Sequence, residues 1–127
     1  MKFIEVTNEG GAVIEIPDYR FAYVLRLPME SMYMLGLNGA TMKVPSAVLP
    51  FETLQKKLMD SDEEFVLLPI PEGVDAIINP AQVLFLVPTE IGKTDIMFNG
   101  GLKVIVAEGI NTVKQKLSGQ SSIVTGA

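Results

Sequence analysis

Apolar and polar positions alternate along Lys2–Thr7, Ala12–Ile16 and Tyr19–Leu27, the period of strands with one buried face. In the third stretch Tyr19, Phe21, Tyr23, Leu25 and Leu27 fall on one side, and Arg20, Ala22, Val24 and Arg26 on the other. Asn8-Glu-Gly-Gly11, Pro17-Asp18 and Pro28-Met-Glu-Ser31 separate the runs. Asn38-Gly39, between apolar runs, predicts a hairpin, because a type I′ turn needs positive φ at both central residues. After Pro45 the period becomes helical: Val48, Phe51, Leu54 and Leu58 share a face, Lys56 and Lys57 occupy the last turns, and Ser46 is the candidate cap.

The polar run Asp60-Ser-Asp-Glu-Glu64 then separates this programme from a second pass through it. Phe65–Leu68, Val74–Ile78 and Ala81–Val87 read as strands, Asn99-Gly100 as a second hairpin tip, and Ile110, Val113 and Leu117 as a second helical stripe. Five elements recur in order with matching breakers. The predicted fold is therefore α+β and β-dominated: two similar units of four to five short antiparallel strands, each ending in a helix, packed as a tandem repeat. Residues 1–60 form the first unit, 61–118 the second, and 119–127 a flexible tail. At about 60 residues a unit buries only a marginal core alone, so the halves are expected to pack as one body.

The stretch Ile77–Leu117 resembles the small FlbD-like proteins found with bacterial flagellar genes. The matching residues are Asn79-Pro80, Leu84-Phe85-Leu86, Thr94–Gly100, Lys103–Val106, Glu108 and Val113. That family is a single unit of half this length, so the duplication is a departure from it. The resemblance implies a small β-rich binding unit and offers no catalytic residues to carry over.

Composition narrows the chemistry. The chain of 127 residues has neither His nor Cys, which removes the commonest general base, the usual zinc ligands and the thiol nucleophile. Ile91-Gly-Lys-Thr94 lacks the upstream glycine of a phosphate loop, and the Asp60–Glu64 carboxylates lack the spacing of a calcium loop. The expectation is a protein without catalytic activity, cofactor or metal. The longest apolar run, Val83–Val87, is too short to span a membrane, and the N-terminus enters a strand directly; a cytoplasmic protein is expected.

With 48% apolar residues the chain is rich in apolar surface for its size, which favours a homo-oligomer. The leading functional reading is a non-catalytic binding, regulatory or structural assembly protein, acting as a homo-oligomer on an unidentified protein partner. The alternative is binding of nucleic acid, nucleotide or another anion through the Tyr19–Leu27 strand, where arginine forks suit phosphate and aromatics suit bases. The net charge of −5 weighs against nucleic acid. Arg20, Arg26, Tyr23 and Tyr33 are the candidate partner- or anion-binding residues. Met29, Met32 and Met34 are read as core filling rather than an adaptable surface. Since Val83–Val87 is apolar throughout and Tyr19–Leu27 has a charged face, the second unit is expected to be structural, its strand buried on both sides, and the first to carry an exposed binding strand.

Overall fold

The computed structural model describes residues 1–119. In both halves five strands are followed by a helix. The first has β1 (Phe3–Thr7), β2 (Val13–Pro17), a 3-10 turn at Asp18–Arg20, β3 (Tyr23–Leu27), β4 (Met32–Gly36), β5 (Thr41–Pro45) and α1 (Phe51–Met59). The second has β6 (Val66–Pro69), β7 (Asp75–Ile78), a 3-10 turn at Pro80–Gln82, β8 (Val83–Pro88), β9 (Thr94–Phe98), β10 (Lys103–Val106) and α2 (Ile110–Leu117). The architecture is α+β with strands dominant: the described residues form ten strands in three antiparallel sheets, and two helices.

Local chemistry accounts for the boundaries. In the β1–β2 hairpin, Ile4 lies opposite Ile16 and Val6 opposite Ile14, so one face closes over the core. Its turn is held by the Asn8 side-chain oxygen, which accepts from the Ala12 N–H at 2.9 Å. Helix α1 starts directly after Pro50, whose φ of −57° suits a helix entry. Ser46 is not its cap, since its hydroxyl donates to the Ser31 carbonyl, and Val48 lies outside the helix on the surface. Phe51, Leu54 and Leu58 form the buried stripe of α1.

Two cores lie side by side. The first gathers β1, β2, β4, β5, α1 and Val24 of β3 around Phe21, Tyr33, Leu35 and Leu54, and takes Phe65 and Ile77 from the second half. The second gathers β6, β7, β9, β10 and α2 around Leu68, Ile96, Phe98 and Val113. Ala22 and Tyr23, from the first half, belong to the second core. The strand order β5-β4-β3-β7-β6 explains why: Tyr23 pairs with Ile78 and Val24 with Ile77. A hairpin of the second half therefore extends the sheet of the first.

This pairing reverses the expected asymmetry between the halves. Strand β3 has neighbours on both edges, with Tyr23 and Val24 buried. Strand β8 is the edge of the order β10-β9-β8, and a register shift between Val83 and Phe85 breaks its alternation. Leu84 and Phe85 consequently both face solvent, at 59% and 55% exposure. No helix among the described residues is long and apolar enough to cross a membrane. The tail expected over 119–127 lies, from residue 120 onward, outside the described residues.

Candidate nucleic-acid interface

The four residues singled out by sequence do not form one surface. Tyr23 is 3% exposed, with its ring centroid 5.2 Å from that of Phe98. Tyr33 is 1% exposed; it donates its hydroxyl to the Leu49 carbonyl at 2.9 Å and stands edge-on to Phe51. Burial pushes both phenols above the ordinary tyrosine range. Arg26 lies on β3 with its guanidinium 3.9 Å from the Phe51 ring centroid and one nitrogen 3.6 Å from Glu52. Arg20 is not on a strand: it closes the Asp18–Arg20 turn, is exposed, and stacks over Tyr19 at 5.1 Å. The aromatic residues serve the core, Arg26 is engaged within the chain, and Arg20 alone of the four is exposed to solvent. Of the three methionines, Met32 and Met34 are half-buried, whereas Met29 is 98% exposed.

The turns that precede β3 and β8 are tied together. Asn79 is buried, caps the second turn by accepting from the Ala81 N–H at 3.1 Å, and donates to the Phe21 carbonyl at 2.9 Å. Gln82 donates to the Tyr19 carbonyl at 2.6 Å. Asp18, read from sequence only as a strand breaker, is buried and accepts from the Lys2 and Asp62 N–H groups, fixing the start of β1 and the link after α1.

Beside this seam, between β8 and α2, runs a groove of about 740 Å³ with Val83, Leu86 and Leu117 in its apolar walls. Asn111, Lys114, Gln115 and Ser118 line it from α2, at the i, i+3, i+4 and i+7 spacing of one helical face. Val113, on a different face, is fully buried and anchors the helix. Among the described residues, no carboxylate lines this groove. Three other grooves among the described residues do carry acids: Glu30 and Glu72 beside Leu25, Asp62, Glu63 and Glu64 beside Asn79, and Glu52 beside Arg26. Lys114 has no carboxylate within ion-pair distance among the described residues, whereas Lys116, two positions on, bonds Glu108 at 2.8 Å. In a chain of net charge −5, the α2 groove is thus a local exception. Sequence reading missed it because Asn111, Lys114 and Gln115 look like an ordinary solvated helix face until β8 is set against them.

No family model matches the chain, and no curated protein matches it. Among solved structures it is similar to a LytTr DNA-binding domain from Bacillus cereus. The TM-score is 0.63 and the identity 16%, over 94% of this chain and 98% of that one. The two share a fold. The match corrects the leading expectation of a protein–protein assembly or structural subunit: the domain that shares this fold is a DNA-binding domain. It agrees with the alternative reading instead.

Proposed function

We propose that this chain is a non-catalytic nucleic-acid-binding domain whose ligand is DNA. The observation that carries the reading is the fold likeness to a DNA-binding domain across nearly the whole of both chains. The α2 groove supports it, since among the described residues its lining includes Lys114 and no carboxylate. The overall charge of −5 means that the backbone of DNA is met by a local patch rather than by a broadly basic surface. Binding should accordingly show a shallow salt dependence, with few counterions released.

The scaffold under this reading is a divergent tandem duplication, with units at 1–60 and 61–118. It is supported by the repeated order of elements and by the meeting of equivalent residues, Asn38 with Asn99, 61 positions apart. The resemblance of Ile77–Leu117 to FlbD-like proteins fits a binding unit of this size.

The test is fluorescence anisotropy of the full chain with labelled DNA, both duplex and single-stranded, at low and moderate salt. Saturable binding that weakens with added salt is expected. Absence of binding to either form at low salt would overturn the reading.

A further inference from the structure

Resting on the DNA-binding reading, we propose that the groove between β8 and α2 takes a nucleotide of single-stranded DNA. A base has two apolar faces and a polar edge, and the groove offers the complement of both. Val83, Leu86 and Leu117 supply apolar walls, while Asn111 and Gln115, four positions apart on α2, present amides that can donate and accept at once. Lys114 stands between them, with no carboxylate among the described residues of the lining, and answers a phosphate. The groove, about 740 Å³, is open to solvent and has room for a base without enclosing it.

Its concavity decides between forms of DNA. A duplex presents a convex surface of phosphates with its bases stacked inside, so a base in a duplex reaches an apolar recess only after unstacking. A single strand delivers the base without that cost. Strand β8, which supplies Val83 and Leu86 to the groove, is an edge strand paired on one side only. Arg20 stands, exposed, on the turn that Gln82 ties to this seam.

The experiment measures anisotropy of a labelled mixed-sequence single strand of about 16 nucleotides, and of its duplex, against three full-length proteins. These are the wild type, the variant Asn111→Ala/Lys114→Glu, and the control Lys57→Glu. Lys57 is an exposed lysine in the last turn of α1, so the control makes the same charge reversal on the other helix. The wild type should prefer the single strand. The groove variant should lose that binding by about tenfold or more, and its slope of log affinity against log salt should fall by about 0.7 for the one phosphate contact removed. The control should change affinity by less than about threefold, as a distant charge does under salt screening. Thermal unfolding of each variant checks that the fold is retained. Equal weakening by both variants, or none by either, overturns the groove while leaving DNA binding in place. A wild type that prefers the duplex also overturns it. A wild type that binds neither form overturns the DNA-binding reading itself.

Discussion

Asn99 donates its side-chain amide to the side-chain oxygen of Asn38, so the tips of the β4–β5 and β9–β10 hairpins meet face to face. Gly100, at φ +75°, sits so close that a Cβ there would lie 2.6 Å from the Gly39 Cα. Gly101 has the same φ with nothing within 4 Å. Gly100→Ala should therefore cost about 1–2 kcal/mol of left-handed strain and a further 1–3 kcal/mol, roughly, from overpacking against backbone. Gly101→Ala should show the strain alone. Urea unfolding of the two variants measures the difference, and equal losses would mean that the tips do not press on each other.

Gly36 makes a second close approach. It lies directly opposite Tyr23 on the neighbouring strand, and a Cβ at Gly36 would fall 2.1 Å from the Tyr23 ring. The ring cannot swing away freely, because it is buried against Phe98. Gly36→Ala should destabilise by at least about 1–3 kcal/mol, the usual range for overpacking. Tyr23→Leu made in the same chain should relieve part of that loss. The double-mutant cycle should give a coupling of about 0.5–3 kcal/mol, as for side chains in contact; strict additivity would disprove the clash.

The two arginines should separate by their effect on stability. Arg26 covers the face of Phe51 at 3.9 Å, and such stacking contributes about 0.5–2 kcal/mol. Its pairing with Glu52 at 3.6 Å adds little, since Glu52 is largely exposed. Arg26→Ala should lower the thermal midpoint, and Arg26→Lys should not restore it fully, for lack of a planar group to stack. Arg20→Ala should change stability by less than about 0.5 kcal/mol, as expected of a surface substitution. A reversed order of the two effects would contradict this placement.

Alkaline pH should unfold the chain through its buried phenols. Burial raises the pKa of Tyr23 and Tyr33 in the folded state, so that state holds these protons more tightly than the unfolded chain does. Their contribution is complete below the ordinary phenol pKa of about 10 and falls as pH rises beyond it. Urea midpoints should be flat up to about pH 9 and drop above about pH 10. Tyr33→Phe should blunt the drop, at a neutral-pH cost of about 0.5–1.5 kcal/mol for the lost bond to Leu49. An unchanged alkaline slope in that variant would remove Tyr33 from the account.

The sequence carried most of the local structure and little of the assembly. The stripes Phe51/Leu54/Leu58 and Ile110/Val113/Leu117 and the positions of both Asn-Gly hairpin tips are local signals, fixed by helical period and by glycine's access to positive φ. The tips are not the expected type I′ turns, because Gly39 and Gly100 take positive φ and Asn38 and Asn99 do not. Burial of β3 and exposure of β8 were inverted, because alternation reports what a strand could bury and not which strand pairs with its edge. Arg20 and Arg26 looked like one face because the strand was extended back to Tyr19, where the backbone in fact turns. The 3-10 turn is stabilised by Gln82 and Asn79 from the distant half, and no local residue announces that. The α2 groove was illegible for the same reason.

The β3–β7 junction has a consequence for synthesis. Asn79 reaches the Phe21 carbonyl across 58 positions, beside the Tyr23–Ile78 pair. During translation, then, the first meander emerges with one flank unfilled and waits for its missing strand. At about 5–20 residues per second that wait is roughly 3–12 s. Throughout it, the hydrogen-bonding groups of β3 are open to whatever other extended chain is near. The order in which the ribosome delivers the two halves thus sets the interval in which this molecule is most vulnerable to mispairing.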